Sequence, residues 1–431
     1  MDKIKVAISC PVDTYSGYGA RSRDFVKALI NTGKYDISII GQRWGNTRNG
    51  YLKDHSEDDI LSLMIPGLTA QPDVWVQITV PNEFQPVGKY NIGVTAGIET
   101  TLCHPSWIEG CNRMNLILTS SEHSKKVFED SGVDMVDKTT NQPIKSVKLE
   151  KPIEVLFEGV DIEKYFKIGK FTNTSDLVST LNGINEQFCY LTVGHWMQGD
   201  FGHDRKNIGY TVKTFLESFK SKQNPPALIL KVSQANSSLM DREKILNKID
   251  AIKKTVKGRH ANIYLLHGDV SDENMNELYN HPKVKVMVSH TKGEGFGRPL
   301  AEFALTGKPI IASGWSGQVD FLDRTEAILI GGTLDKIHPS SVVKDVLVPE
   351  SSWFTPSDAD VSRAFKQTFK HYKDSLVGGK KQRRRILDNF TFEHMQNRLD
   401  EILTKSIPEF PKQINLTLPK LDLPKLEKID G

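Results

Sequence analysis

Cysteine, long apolar runs and excess charge are all scarce in this sequence. Its four cysteines, Cys10, Cys103, Cys111 and Cys189, stand singly along the chain. They lack the paired spacing of a zinc site or a disulfide framework, so reduced, partly buried thiols are predicted. No apolar run approaches the length of a membrane span. The formal net charge is only +3, which is too small to imply a polyanionic partner.

The composition that remains is typical of a globular enzyme. With 38% apolar and 25% charged residues, the chain has enough material for ordinary hydrophobic cores. Its 431 residues exceed what one core usually supports, so two domains are predicted. A strand pattern follows Met1 directly, without the apolar region and cleavage site of a signal peptide, which predicts a cytoplasmic protein.

Short apolar runs alternate with helical patterns along most of the chain, which predicts parallel sheets with crossover helices. The predicted strands are 4–8, 35–40, 74–78, 91–96 and 116–119 in the first domain and 188–194, 227–232, 263–266 and 284–288 in the second. We predict domains over 1–185 and 186–387, with a polar linker or surface excursion over 168–185. Thr391 is predicted to cap a last helix. The proline-rich residues 406–431 are predicted to form an extended tail.

One segment, residues 293–302, carries the main indication of function. Its glycines follow the predicted strand 284–288 and precede a helix whose first turn holds Pro299. Gly295 and Gly297 permit positive φ and close backbone approach, and a helix N-terminus offers free N–H groups to an anion. The segment therefore predicts a diphosphate site at a strand-to-helix crossing.

Two acids, Glu294 and Glu302, flank this predicted phosphate site. A carboxylate accepts two hydrogen bonds at once, which suits the vicinal hydroxyls of a sugar or ribose ring. Taken singly, Glu302 would be a first-turn acid that complements the helix dipole, and Glu294 a loop charge. Their position around the glycines and the proline favours sugar-nucleotide binding instead.

This segment resembles the Glu-x7-Glu signature of retaining glycosyltransferases of family 4. The resemblance continues through 306–313 and covers most of residues 1–405. It implies an α/β protein with the GT-B fold, in which two Rossmann-like domains face an interdomain cleft. It also implies a nucleoside-diphosphate sugar as donor, no cofactor, and transfer of a hexose or pentose to a hydroxyl acceptor with retained configuration. Glu302 would bind the ribose, Glu294 the donor sugar, and Phe296 would lie in the donor site.

The resemblance also bears on domain organisation. Residues 155–166 are similar to the segment that ends the first domain in this family, with Glu158 in place of a common asparagine. A helix near 388–405 would cross back onto the first, acceptor-side domain. The second domain would then bind the nucleotide sugar.

Loops after the first strand of each domain are the next candidates for donor contacts. Gly17 and Gly19 lie where the family has a glycine-rich loop, with a plain tight turn as the alternative. Arg205 and Lys206 lie in a segment similar to one that supplies an arginine and a lysine to the donor diphosphate. The family arginine usually follows the glycine directly, where this chain has His195. Such cations would stabilise a leaving diphosphate; a solvated helix-start cluster is the alternative.

Three more positions complete the candidates. Lys231 lies inside an apolar run and would be either a donor contact or a snorkelling lysine. Glu99 lies where family members place a His or Glu facing the donor sugar, with a surface carboxylate as the alternative. His104 is a weaker candidate that favours a structural role. Glu99, Lys206 and Glu294 are the predicted catalytic residues.

An Asp-x-Asp pattern at Asp358 and Asp360 corresponds to a metal site in the other major glycosyltransferase fold. Here it opens a predicted helix over 361–369, and acids in a first helical turn complement the dipole without any metal. The sequence therefore predicts no metal site and metal-independent transfer.

The sequence leaves the acceptor open. A basic run predicts peripheral contact with a membrane surface or nucleic acid, or else a solvated helix face; it comprises Lys380, Lys381, Arg383, Arg384 and Arg385. A glycan, a lipid or a small molecule is the leading acceptor class. A hydroxymethylated DNA base is an alternative, since viral base-modifying glycosyltransferases share the GT-B fold. A catalytically silent nucleotide-sugar-binding protein is the other alternative.

Overall fold

The structure, a computed structural model, describes residues 3–136, 143–171, 175–234 and 238–411. Two six-stranded parallel sheets form its framework. Most of the predicted tail, from residue 412 onward, lies outside the described residues. No helix in the described part of the chain is both long and apolar enough to span a bilayer.

The first sheet contains the predicted strands of the first domain and one more. Its members are β1 (Ile4–Cys10), β2 (Tyr35–Gly41), β3 (Val74–Ile78), β4 (Tyr90–Val94), β5 (Leu116–Thr119) and β8 (Ile153–Val155). Between β5 and β8 in the chain, β6 (Val133–Val136) and β7 (Pro143–Val147) form a separate two-stranded sheet. The strands of the first sheet are ordered β2-β1-β3-β4-β5-β8, every neighbouring pair parallel. The helices between them are α1 (Gly17–Thr32), α2 (Tyr51–Asp54), α3 (Asp58–Leu61), α4 (Pro105–Asn112) and α5 (Glu122–Asp130).

The second sheet is built in the same way. Its strands are β9 (Cys189–His195), β10 (Ala227–Ser233), β11 (Ile263–Leu266), β12 (Val284–Ser289), β13 (Ile310–Ser313) and β14 (Ile328–Ile330). The order is β11-β10-β9-β12-β13-β14, again with parallel neighbours. The helices that cross between these strands are α7 (Ile208–Phe219), α8 (Leu239–Thr255), α9 (Asp272–Asn280) and α10 (Arg298–Ala304), preceded in the chain by α6 (Asp176–Asn182).

An antiparallel pair of strands and three helices complete the chain. The pair is β15 (Gly332–Lys336) with β16 (Ser352–Pro356), and the helices are α11 (Asp358–Lys370), α12 (Tyr372–Asn389) and α13 (Phe392–Ser406). The predicted N-cap of α13 is confirmed, since the Thr391 side chain accepts from the His394 N–H. Met395 and Leu399 of α13 are buried in the core of the first sheet, so the last helix returns to the first half of the chain.

The two sheets are buried on both faces, which explains their sequence pattern. Parallel strands with helices on each side read as continuous apolar runs, and all five residues of β3 are buried. The four cysteines are also buried and unpaired. The predicted linker over 168–185 was wrong in part, because its end forms α6. Val178 and Leu181 of this helix are buried, Leu181 in the core of the second sheet, and α6 contacts α9.

In each sheet, the order in which the chain adds strands reverses once, and a ligand site is expected at this reversal. Strand order reverses between β1 and β3 in the first sheet and between β9 and β12 in the second. Ligands of open parallel sheets bind outside the carboxyl ends of the strands at such switch points. The loops that follow β1, β9 and β12 are therefore the places to look for a functional site.

Candidate functional site

Two of the predicted catalytic residues meet at the switch point of the second sheet. Lys206 follows β9 and Glu294 follows β12, and the Lys206 Nζ lies 2.6 Å from each carboxylate oxygen of Glu294. Arg205 Nη1 donates to the Gly293 carbonyl at 2.8 Å and lies 3.4 Å from Glu294 Oε2. Both cations from one loop therefore surround the first acid of the motif.

The third predicted catalytic residue reaches this cluster from the first half of the chain. Glu99, in the loop after β4, places its Oε1 3.1 Å from Arg205 Nη1. Arg205 thus joins Glu99 to Glu294. The site is assembled by both halves.

The cations determine the proton affinity of Glu294. Burial alone would raise the pKa of this carboxyl, but Lys206 and Arg205 outweigh burial and lower its pKa below the usual value. Burial opposes the charge on Arg205 as well, yet Glu99 and Glu294 raise its pKa. Burial lowers the pKa of Lys206, although Glu294 opposes that shift. The cluster therefore favours the ionised form of Glu294 and the charged form of Arg205.

The glycines of the motif make close contact with the first half of the chain. A Cβ on Gly293 would lie 2.3 Å from the Glu99 carbonyl oxygen, and a Cβ on Gly295 would lie 2.1 Å from that of Ala96. Ser120 Oγ also donates to the Gly295 carbonyl at 2.9 Å. Gly295 does not take the positive φ that the sequence suggested, so it is required by this close packing; Gly297 does, with φ 103°.

Phe296 does not face the cleft. Its side chain is buried in the core of the second sheet and packs on Phe321 with ring centroids 4.8 Å apart. The prediction that Phe296 lies in the donor site would therefore rest on its backbone and not on this side chain. Phe296 turns inward directly after Gly295, which meets the opposite half, and before Gly297, which packs near Gln318 and Phe321.

Glu302 occupies a different environment one turn into α10. Its Oε1 accepts from Arg298 Nε at 3.1 Å and its Oε2 from the Tyr279 hydroxyl at 3.2 Å. Burial raises the pKa of Glu302 to about 7 in spite of Arg298. Arg298 also contacts Asp24 of α1, so its charge is shared with another acid.

The glycines after β1 form the first turn of α1. Ser16 caps this helix by accepting from the Gly19 N–H at 2.9 Å. Gly17 is exposed, with open space where a Cβ would be, but a Cβ on Gly19 would lie 2.2 Å from the Thr14 carbonyl oxygen. The glycine-rich loop is corrected to a helix start, and internal packing requires Gly19 to be glycine.

Lys231 lies at the carboxyl end of β10, next to β9. Its Nζ donates to the Gly268 carbonyl at 2.8 Å, and burial lowers its pKa. His195, at the end of β9, places Nδ1 3.1 Å from Ser233 Oγ. With Arg205 and Lys206, this edge of the second sheet presents several nitrogen donors.

The weaker candidates have structural roles. His104 caps α4, its Nδ1 accepting from the Ser106 N–H at 3.2 Å. Asp358 and Asp360 lie in the first turn of α11, as predicted, where Asp360 pairs with Arg363 at 2.8 Å. No group of three or more potential metal-ligating side chains occurs in the described ranges.

The basic run is divided between internal contacts and solvent. It lies on α12, where Arg383 Nε donates to the Leu305 carbonyl at 2.8 Å and Arg385 Nε pairs with Glu326 at 2.8 Å. Lys380, Lys381 and Arg384 are exposed. The run is therefore partly structural.

Residues around Arg298 were missed by sequence reasoning. Asp24 and Tyr279 lie on amphipathic helices with nothing local to mark them, because their partners are distant in the chain. Glu158 was noted as a departure from the family pattern, and it lies 3.9 Å from Arg21 and 4.0 Å from Arg298. The replacement of the common asparagine by Glu158 was therefore the one sequence feature that pointed to these charged residues.

No protein-family model and no curated protein sequence matches the chain. Solved structures do match it over nearly its whole length. HepE of Anabaena in complex with UDP-glucose is 12% identical, with a TM-score of 0.59 over 93% of this chain and 100% of that chain. A glycosyltransferase from Rickettsia africae is 13% identical, with a TM-score of 0.60 over 94% of this chain and 99% of that one. Sucrose-phosphate synthase from Thermosynechococcus elongatus is 11% identical, with a TM-score of 0.59 over 94% of this chain and 99% of that one. These likenesses confirm the predicted GT-B fold.

Proposed function

We propose that the protein is a retaining glycosyltransferase that moves a hexose or pentose from a nucleoside-diphosphate sugar to a hydroxyl acceptor. The convergence of Glu99, Arg205, Lys206 and Glu294 at the switch point supports this proposal most directly. The UDP and UDP-glucose bound to HepE support a donor of the same class.

In this proposal Lys206 and Arg205 offset the charge that develops on the leaving diphosphate. Such fixed charges are worth more in the transition state than in the bound donor, so they accelerate the reaction. An ammonium has three N–H donors, which lets Lys206 bind a phosphate oxygen while it keeps Glu294. Lys231 and the N-terminus of α1 would add donors to the same diphosphate.

The two acids of the motif bind the sugar portions of the donor. Glu294, held ionised by its cations, would accept from hydroxyls of the transferred sugar, and Glu302 from the ribose hydroxyls. Glu99, which contacts Arg205 from the first half of the chain, would stabilise positive charge at the anomeric carbon or orient the acceptor. Retention then follows from same-face attack, with the leaving phosphate removing the acceptor proton.

We also propose that transfer is metal-independent. The chain supplies its own cations beside Glu294. Asp358 and Asp360 lie in the first turn of α11, where Asp360 pairs with Arg363. A glycan, a lipid or a small molecule with a free hydroxyl remains the proposed acceptor class.

A panel of UDP-, GDP- and ADP-sugars tests the proposal. A ligand that binds only the folded state raises the apparent melting temperature, so one donor should stabilise the protein more than the others. That donor should then be hydrolysed slowly without acceptor, releasing the nucleotide. A silent binding protein would be stabilised but would release none, and the absence of stabilisation by every sugar nucleotide would refute donor binding altogether.

A further inference from the structure

A group of five charged side chains joins the first half of the chain to the helix that carries Glu302. Arg298, the first residue of α10, lies at its centre: Nη1 contacts Asp24 of α1 and lies 4.0 Å from Glu158 Oε2. Its Nε donates to Glu302 Oε1 at 3.1 Å. Arg21 of α1 adds a second cation, 3.9 Å from Glu158. One guanidinium is thus shared by three carboxylates.

These pairs are sheltered from water, unlike ordinary surface ion pairs. The side chains of Arg298 and Asp24 are 20% and 15% exposed, and that of Glu302 is 8% exposed. Exposed pairs contribute little to stability, but removing one partner of a buried pair leaves an uncompensated charge. The arrangement is therefore sensitive to any movement that separates its members.

The orientation of Arg298 depends on both halves of the chain. A guanidinium is planar, and its donors point in fixed directions. Glu302, on the same helix, engages Nε, while Asp24 from α1 engages Nη1. If α1 moved away from α10, Arg298 would keep Glu302 but lose the contact that fixes its plane.

We propose that Arg298 is a positioning residue that couples the docking of α1 on α10 to the placement of the Glu302 carboxylate, so that nucleotide binding and closure of the two halves favour one another. This inference rests on the proposed function, because it takes Glu302 as the acceptor of ribose hydroxyls. Coupling between two such events is reciprocal. A change at Asp24, which does not touch Glu302, should therefore alter nucleotide affinity.

Other charged and titratable groups face Glu302 from α9 and from the segment before α6. The Tyr279 hydroxyl donates to its second oxygen at 3.2 Å, and Asp272 is a nearby like charge. Asp272 is held by Lys164 Nζ at 3.0 Å and by the Tyr165 hydroxyl at 2.9 Å. Since Lys164 pairs with Asp272, Arg298 is the cation that compensates the negative charge of Glu302.

Calorimetric titration with UDP, GDP and ADP from pH 6 to pH 8.5 tests this coupling in the parent, Asp24→Asn, Arg298→Gln and Arg298→Lys. At pH 8, Asp24→Asn should lower affinity about fivefold or more, the lower end of typical coupling between sites. Arg298→Lys should lose affinity too, because a point charge cannot replace the planar fork. Arg398→Gln is the matched control, since its pair with Glu154 at 2.9 Å is more exposed, at 40% and 30%, and joins α13 to the first sheet alone.

The pH at which binding is half lost separates positioning from a merely structural role. Arg298→Gln removes the cation that favours ionised Glu302, so this midpoint should move to higher pH. Asp24→Asn removes a competitor for Arg298, so the midpoint should move to lower pH. A general loosening of the fold would not shift the two variants in opposite directions.

The outcomes distinguish this inference from the proposed function. If the parent binds none of the three nucleotides, the proposed donor site fails and the coupling fails with it. If the parent binds but Asp24→Asn keeps both its affinity and its midpoint, only the coupling is overturned. Circular dichroism identifies any variant that does not fold, and Asp24→Asn decides the question if Arg298→Gln is lost in this way.

Discussion

Glu294 and Glu302 belong to one short motif, yet their surroundings give them opposite proton affinities. Glu294 faces Lys206 and Arg205, which outweigh burial and lower its pKa. Burial raises the pKa of Glu302 to about 7, and its one arginine is shared with other acids. Equal burial therefore has opposite consequences, because the number of cations that each carboxylate can claim decides its charge.

The largest expected effect breaks the Glu294 side of this comparison. Lys206→Ala should lower kcat by about 10²- to 10³-fold, the usual cost of losing one preorganised electrostatic contact, with a smaller rise in donor KM. Steady-state kinetics with the preferred donor would measure both constants. Lys213→Ala, which removes a half-exposed lysine paired with Glu217 on α7, is the matched control.

Arg205→Ala identifies which cation carries this role. A parental rate in Lys206→Ala combined with an inactive Arg205→Ala would transfer the diphosphate contact to Arg205. Parental rates in both variants would place the donor elsewhere.

On the Glu302 side, Glu302→Gln should weaken nucleoside diphosphate binding. An amide offers one acceptor and an unsuitable donor pair to the ribose hydroxyls, and a hydrogen bond to a charged group contributes ~1.5–3 kcal/mol, so the loss at pH 8 should be about tenfold or more. Titration of the nucleotide alone measures it. Unchanged affinity would remove Glu302 from the ribose role.

Thermal stability against pH sharpens the comparison with the same two acids. The raised pKa of Glu302 means that its contribution is present at low pH and lost as pH rises through about 7. Glu302→Gln should therefore melt higher than the parent at pH 8 and equally at pH 4, below the ordinary carboxyl pKa of 4.5. The lowered pKa of Glu294 has the opposite sign, so Glu294→Gln should melt lower at pH 8, with a difference that shrinks as the pH falls. Parallel curves for the two variants would contradict the assigned environments.

The smallest expected effect is that of chelation. Because the cations beside Glu294 belong to the chain, turnover should be unchanged by EDTA. Loss of activity that Mn²⁺ or Mg²⁺ restores would show that the side-chain cations are insufficient.

Much of the fold was accessible from the sequence because its signals are local. Apolar runs such as β3 and β12 lie where they were predicted, since burial on both faces fixes their composition. Pro299 lies in the first turn of α10 and Thr391 caps α13. The helix at α6 was missed because its seven residues are too few for a clear period.

The site was predictable in part for the same reason. Glu294 and Lys206 were chosen separately, each from its place after a strand, and they meet at 2.6 Å. The inward packing of the Phe296 side chain and of Gly19 was not predictable, because local patterns do not distinguish a residue that faces a cleft from one that packs inward.

The sequence by itself determined two parallel α/β units and the loops that could hold a sugar nucleotide, because periodicity and glycine placement act over a few residues. Only the tertiary structure decided that Glu99 reaches Arg205, that Gly293 and Gly295 abut the opposite half, and that Arg298 connects Asp24 to Glu302. Except for the pair of Arg298 with Glu302 on α10, these contacts join residues more than a hundred positions apart. Their partners are set by how the two halves pack, and the cations placed in this way decide the charges of Glu294 and Glu302.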